Sequence, residues 1–404
     1  MEVRPRILTL EEFVPATFAP SPPLDAALEA LWQHYGPQVT VEFPSPKTQG
    51  RWRLTNLGWA GQIPLTLDFQ IALQPKLPLS NLFGMLEVAY RLAGLRFLNG
   101  EMACASLAEF YERLAHVLAR RVLERERQGL YRAYVAQEAA LPYVAGRLDV
   151  TRHVRHPWAA ELPCEYGEHT ADIDDNQLLA WTLHRILQSG LCTERALPAL
   201  RQAYRGLTGG VALTPFAAQE CVGRLYGRLN ADYRPLHALC RFFLEHTGPA
   251  HIAGDHTLAP FLIPMPRLFE LFVAEWLRAH LPPGRFRLEA QERVTFGAAQ
   301  QWRFDIDLTL YDATTNQVMG VLDTKYKAAE SPASDDIAQV VAYAEIKGCQ
   351  EAALVYPAPL ARPLDATLGD IHVRSLTFAL DGDLSAAGQA FVACVVGARF
   401  YQQI

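Results

Sequence analysis

Asp323-Thr324-Lys325-Tyr326-Lys327 closes an apolar run, Val318-Met319-Gly320-Val321-Leu322, and so sets a carboxylate and an ammonium two residues apart. Side chains alternate along an extended strand, which places Asp323 and Lys325 on one face. That pair suits metal-assisted hydrolysis of a phosphodiester. The carboxylate is a hard oxygen ligand for Mg²⁺, and the lysine can position or deprotonate a water, or offset charge in the transition state. Upstream, Trp302-Arg303-Phe304-Asp305-Ile306-Asp307 alternates acids with bulky apolar residues, so Asp305 and Asp307 face one side of a second strand. Between the two runs, residues 311–317 (Tyr-Asp-Ala-Thr-Thr-Asn-Gln) read as a hairpin turn that brings the acids together.

Other groups join this set from neighbouring helices. Glu270 lies in an apolar helical stretch over 266–280, where an inward carboxylate is costly unless it meets a cation. Gln339 and Tyr343, four residues apart in a helix that follows the hairpin, share a face and can orient the lysine or a DNA phosphate. Lys327 repeats the strand face of Lys325 and suits a structural or phosphate-contacting role. Each has an ordinary reading too. Asp-x-Lys can be a solvated strand end, Glu270 can pair with Arg267 or Arg278, and Gln339 and Tyr343 can be helix surface and core. The combination, not any single residue, points to a hydrolytic site. The 12 histidines show no HExxH or comparable ligand spacing.

The elements that must hold these groups fall into three regions. Residues 1–103 are β-rich, with strand-like runs at 39–43, 63–67 and 69–73 and a helix near 23–35; residues 104–250 read as helical, including 176–189 and 217–230. A connection near 248–255 leads to the third region, 251–404, where helix, strand, strand, helix and strand follow in order. The chain has 404 residues, half of them hydrophobic, and a formal net charge of −6, which fits a multidomain α+β protein with several cores. Mild acidity argues against coating nucleic acid by global charge, yet allows a local basic groove. Seven cysteines without CxxC spacing suit reduced thiols, and with no apolar leader and no span of about 20 apolar residues the expected location is cytoplasmic.

Glu270, Asp305, Asp323-x-Lys325 and Gln339-x-x-x-Tyr343 together resemble the PD-(D/E)xK nuclease superfamily, and Leu268-Phe269-Glu270 with Asp323-Thr324-Lys325-Tyr326-Lys327 resembles its McrC branch. A looser likeness runs upstream through Gln74-Pro75-Lys76, through Gly129 to Tyr134 with Glu138 and Gly146-Arg147, and through Cys164-Glu165-Tyr166 as far as Asn176. Phe304 stands where the superfamily usually has proline, a backbone preference and not a ligand. The resemblance implies a restriction-endonuclease-like C-terminal domain, a mixed sheet flanked by helices. It implies a Mg²⁺-dependent (or Mn²⁺-dependent) endonuclease cutting double-stranded DNA for a restriction and phage-defence system. Asp305, Asp323 and Glu270 would bind metal, with Lys325 catalytic; the superfamily pattern favours Asp305, while Asp307 stays open as the alternative. It further implies a GTP-hydrolysing AAA+ partner of the McrB type, whose pore receives the N-terminal β-rich part. No Gly-x-x-x-x-Gly-Lys-[Ser/Thr] loop is present, so the chain itself is expected to bind no nucleotide. Arg51, Trp52 and Arg53 are the candidates for touching the partner, against a solvated hairpin as the plainer reading. A RecB-like repair nuclease and a non-catalytic regulatory subunit of an AAA+ NTPase are the competing functions.

Overall fold

The structure, a computed structural model, describes residues 6–66, 68–92, 104, 106–248, 251–253, 256–296 and 302–397. By its contacts the chain forms two units, one of Met1–Leu107 with Phe261–Ile404 and one of Ala108–Pro260. From the N-terminus run β1 (Arg6–Glu11), β2 (Pro15–Phe18), α1 (Pro22–His34), β3 (Val39–Glu42), β4 (Trp52–Asn56), β5 (Trp59–Pro64), β6 (Phe69–Gln74) and α2 (Leu79–Ala89). Next come α3 (Leu107–Gln128), β7 (Ala133–Leu141), β8 (Arg147–Leu148), α4 (Val150–Arg155), β9 (Leu162–Thr170), α5 (Asp174–Ser189), α6 (Leu197–Thr208), α7 (Tyr233–His246), β10 (His251–Ala253) and β11 (His256–Leu258). The last part holds β12 (Phe261–Pro264), α8 (Met265–His280), β13 (Phe286–Phe296), β14 (Trp302–Asp312), β15 (Val318–Thr324), α9 (Ser334–Lys347), β16 (Glu351–Tyr356), β17 (Asp365–Leu368), β18 (Ile371–Thr377) and α10 (Leu384–Val396). This is a mixed α and β fold with several sheets. Among the described residues no helix is long and apolar enough to cross a membrane.

Sequence reading separates 1–103 from 251–404, but contacts join them. β12 pairs antiparallel with β5 at the edge of a four-stranded sheet ordered β1-β6-β5-β12, and α2 packs on α8. Gly61 makes the pairing possible. Its φ is +134°, and a Cβ there would lie 1.9 Å from the Phe261 carbonyl oxygen, so no side chain fits between the strands. β12 runs directly into α8, whose first amide, on Met265, donates to the Gly58 carbonyl at 2.9 Å. The N-terminal sheet therefore sets where α8 begins.

Helix α8 forms because Leu268, Phe272 and Trp276 fall in one row and Phe269, Val273 and Leu277 in the next, all six buried. Pro266 sits in its first turn, where the missing amide costs nothing, and Arg278 and His280 in its last turn oppose the dipole. The six-stranded sheet has the order β13-β14-β15-β16-β18-β17, with β13, β14 and β15 antiparallel and β15, β16 and β18 parallel. Helix α9 makes the crossover from β15 to β16 and ends at Gly348, in the left-handed conformation with φ 66°.

The unit Ala108–Pro260 departs from the all-helical expectation. It contains a three-stranded sheet, β7-β9-β8, beside its helices. β7 reads Ala-Tyr-Val-Ala-Gln-Glu-Ala-Ala-Leu and buries no residue fully, so it lacks the apolar alternation that marks a half-buried strand. Residues 217–230, expected as a helix, form only a 3-10 turn at Ala218–Cys221 before looping. Gly223, at φ +76°, breaks the run.

Candidate active site

The β14–β15 hairpin turns where expected, between Asp312 and Val318. The Asp312 carboxylate accepts from the amides of Thr314 and Thr315 at 2.8 and 2.7 Å, and Asn316 takes up a φ of 59°. Leu308 pairs with Leu322 and Thr309 with Val321. Extending that register one residue sets Asp307 opposite Asp323. The two acids meet at the end of the hairpin, where the Asp307 Oδ2 also accepts from the amide and hydroxyl of Thr324, each at 2.8 Å.

Asp323 is 2% exposed. Burial first, and then the Asp307 charge, push its carboxyl up to about 6. Glu270, in the second turn of α8, feels both acids. Burial raises it to about 7, with Asp307 and Asp323 adding to the shift and Arg267 opposing it. Its Oε1 accepts from Arg267 and from Gln291, each at 2.8 Å, and Arg267 also donates to Gln291 at 2.7 Å. The ordinary pairing with Arg267 therefore exists without cancelling the repulsion from the acids. Gln291 reaches Glu270 from a left-handed kink in β13, φ 54°.

Lys325 is the cation of this cluster. Its Nζ lies 2.6 Å from Asp323 Oδ2, 3.8 Å from Asp336 Oδ1, and donates to Gln339 Oε1 at 2.9 Å. The Gln339 amide nitrogen donates in turn to the Tyr343 hydroxyl at 2.6 Å. Burial works against the ammonium, but Asp323, Asp336 and Asp307 outweigh it and hold Lys325 above its ordinary value. A lysine so held carries its charge at a fixed position and offers N–H donors there. Lys327 bonds to the other oxygen of Asp336, away from Asp323.

Four residues singled out from the sequence are placed elsewhere. Asp305 lies opposite Arg293 on β13 and pairs with Arg293 at 3.1 Å and Arg303 at 3.0 Å, its side chain 47% exposed. The Arg293 hydrogen bond is the chief reason its carboxyl sits below the ordinary range. Trp52 is in the core, its ring nitrogen donating to Asp25 at 2.6 Å, because alternation along β4 turns it and Leu54 inward. Arg53 pairs with Glu42 at 3.1 Å, and Arg51 reaches the Thr17 carbonyl at 3.5 Å. Phe13, Trp32 and Phe43 are exposed aromatic groups of the N-terminal part, and the rings of the last two meet edge to face 5.5 Å apart.

Two participants escape the sequence reading. Asp336 bridges Lys325 and Lys327 from the first turn of α9, and an acid at a helix N-terminus just after Asp-x-Lys was the available signal. Gln291 had none, since the β13 kink is invisible in composition. Glu270, Asp307 and Asp323 are the oxygen donors a metal could use. As placed, no group of three histidine, cysteine or acidic side chains among the described residues forms a ready-made metal site.

A family described as "McrBC 5-methylcytosine restriction system component" matches residues 54–357. Among solved structures, a chain of the half-complex from a tetradecameric assembly of Thermococcus gammatolerans McrB AAA+ hexamers with bound McrC has a similar fold, with TM-score 0.53 and 17% identity over 96% of this chain and 99% of that one. A chain of the Thermococcus gammatolerans McrBC complex gives TM-score 0.45 and 17% identity over 69% of this chain and 88% of that one. No curated protein matches.

Proposed function

This chain belongs to the McrBC family of 5-methylcytosine restriction system components, and from that membership we propose that it is the DNA-cutting subunit, a PD-(D/E)xK-type endonuclease that hydrolyses phosphodiester bonds with a divalent cation. One observation carries the reading. Three acids, Glu270, Asp307 and Asp323, are gathered at the end of the hairpin, where burial first and their mutual repulsion second raise two of them, and the cation set among them, Lys325, is fixed by Gln339. Like charges held together at such a cost are characteristic of active sites.

The donor set suits Mg²⁺ or Mn²⁺, since all its atoms are hard carboxylate oxygens whose mutual repulsion a divalent ion would relieve. Glu270, Asp307 and Asp323 would hold it, and its binding would draw them closer. When bound, such an ion supplies a water of lowered pKa and charge to offset the leaving oxygen. The chain's own residues do the rest. Lys325 stays protonated, tied to Asp323 and Gln339, and presents N–H donors to a phosphate oxygen or to the attacking water. Tyr343 holds Gln339, and Asp336 holds Lys327 beside it. In this assignment Asp307 takes the place that the superfamily pattern gave to Asp305, and Ile306 precedes it.

The partner we infer is a McrB-type AAA+ GTPase ring whose hydrolysis the chain stimulates, since the similarly folded chain comes from an assembly of McrB AAA+ hexamers with bound McrC. The deciding experiment reconstitutes the chain with a McrB-type AAA+ protein, GTP and Mg²⁺ on 5-methylcytosine DNA. Asp323→Ala and Lys325→Ala should each lower cleavage by about a thousandfold or more while the partner's GTP hydrolysis stays stimulated. Full cutting by both variants removes the cluster from the reaction.

A further inference from the structure

The turn that follows β15 is held from two directions. Lys325 and Lys327 reach to α9, but Tyr326 between them points its hydroxyl at the Glu12 Oε2, 3.2 Å away, just past the end of β1 in the N-terminal sheet. Glu12 is 1% exposed. Its Oε2 also accepts from the Lys76 amide at 3.2 Å, while Oε1 is buried without a hydrogen-bond partner among the described residues. A carboxylate this deep, with an amide and a phenol for hydrogen bonds, is a costly way to fill space. The backbone around it is pinned as well. The Glu12 amide donates to the Gln74 carbonyl at 3.0 Å, and the next residue, Phe13, is left-handed with φ 59°. On the other side the Tyr326 ring lies 5.8 Å from that of Phe269, the α8 residue next to Glu270. Glu12 therefore touches the segment that carries Lys325, and Tyr326 touches the helix that carries Glu270.

We propose that Glu12 is a positioning residue for the cleavage site, its buried carboxylate gripping the Tyr326 hydroxyl so that the N-terminal sheet fixes the Lys325–Lys327 turn against α8 and α9. This rests on the nuclease reading for its effect on rate, though the grip itself can be measured without cleavage. Burial is the chief reason that Glu12 titrates above its ordinary range, and the same holds for Tyr326, whose shift the Glu12 charge enlarges. The pair thus shares one proton-donating contact, from phenol to carboxylate.

The test uses the full chain and the variants Tyr326→Phe, Glu12→Ala, Glu12→Gln and the double Glu12→Ala/Tyr326→Phe, with amide hydrogen exchange over residues 324–329 as the first readout. Tyr326→Phe keeps the ring against Phe269 and should exchange faster there with an unchanged melting midpoint. In the reconstituted system it should slow single-turnover cleavage of 5-methylcytosine DNA by about tenfold to a hundredfold without weakening DNA binding. Glu12→Ala should match it, the double variant should be no worse than either, and Glu12→Gln should restore the rate because its amide oxygen still accepts from the phenol. Unchanged exchange in Tyr326→Phe, multiplying losses in the double variant, or a Glu12→Gln as slow as Glu12→Ala would each overturn the proposal. Lys325→Ala serves as the control. Cutting by that variant at the wild-type rate condemns the nuclease reading, while the exchange result still decides the grip.

Discussion

Two polar clusters, one in each unit, show how differently buried charge can be arranged. Around Asp175, at the start of α5, every group has its complement. Oδ1 takes both the Nε and Nη2 of Arg224, at 3.0 and 2.8 Å, and Oδ2 takes Asn230 at 3.1 Å. Beside it the Tyr233 hydroxyl donates to Asn176 at 2.7 Å, and the His237 ring is engaged at both nitrogens, by Tyr226 and by the Asp175 carbonyl. Burial, aided by Arg224, lowers His237 to about 4 and keeps it neutral. Around Asp323, by contrast, acids outnumber nearby cations and two of them are pushed toward neutrality. A network whose charges are matched holds a fold together. One that is left unmatched is where the proposed divalent cation would bind.

That contrast breaks most visibly through substitution. Asp175→Ala strands Arg224, 15% exposed, and should cost about 3 kcal/mol of stability, with cleavage by the protein that remains folded unaffected. Chemical denaturation and cleavage per folded molecule would measure the two. A rate loss without a stability loss would mean that the matched cluster is the working one. Asp307→Asn should do the reverse. The amide oxygen can still accept from Thr324, but the charge that adds to the effect of burial on Glu270 and Asp323 is gone, so the metal-free chain should gain up to about 1 kcal/mol and lose both Mg²⁺ protection and cutting. Destabilisation by Asp307→Asn would show that the repulsion is not real.

The same repulsion has a pH signature, and its sign can be worked out. Glu270 and Asp323 titrate higher in the folded chain, at about 7 and about 6, than in the unfolded one. The protonated acids therefore favour the fold. Their contribution is fully present below about pH 4 and is lost as pH rises through 6 and 7. Thermal melts of wild type and Asp307→Asn in EDTA should accordingly coincide near pH 5 and separate progressively toward pH 8, with the variant higher. Adding Mg²⁺ at pH 8 should raise the wild-type midpoint and leave Asp307→Asn where it was. A gap independent of pH would place the effect outside these carboxyls.

Much of the site was legible in the sequence, and the reasons differ by residue. Asp323, Lys325, Gln339 and Tyr343 lie on local patterns, a strand end and one helix face, whose periods are visible without a fold. Choosing between Asp305 and Asp307 needed the register of β14 on β15, which depends on where the 312–317 turn closes. Alternation alone cannot decide it, because both acids share a face. For Arg51, Trp52 and Arg53 the same alternation works in reverse, since a tryptophan flanked by two arginines on an alternating strand is the inward residue, and only the arginines stay at the surface. Glu12 and Tyr326, separated by 314 positions, could be linked only by the joining of the N-terminal and C-terminal parts through β5 and β12. β7 buries no residue fully and β9 buries only Pro163 and Cys164, so neither strand carries a clear alternating signal to read.

The smallest expected effect is also the sharpest test of register. Asp305 stands two residues from Asp307 on the same face, yet it is paired with Arg293 and Arg303 at the exposed edge and its carboxyl is lowered where those of Glu270 and Asp323 are raised. Exposed ion pairs of this kind contribute little. Asp305→Asn should therefore leave the melting midpoint unmoved at every pH, preserve the Mg²⁺-induced shift, and keep cleavage within about twofold of wild type. Should it instead lose metal protection as Asp307→Asn is expected to, the β14 register in solution must differ by two residues from the one described. Asp305 would then face Asp323, and the hairpin turn would have to close at a different place.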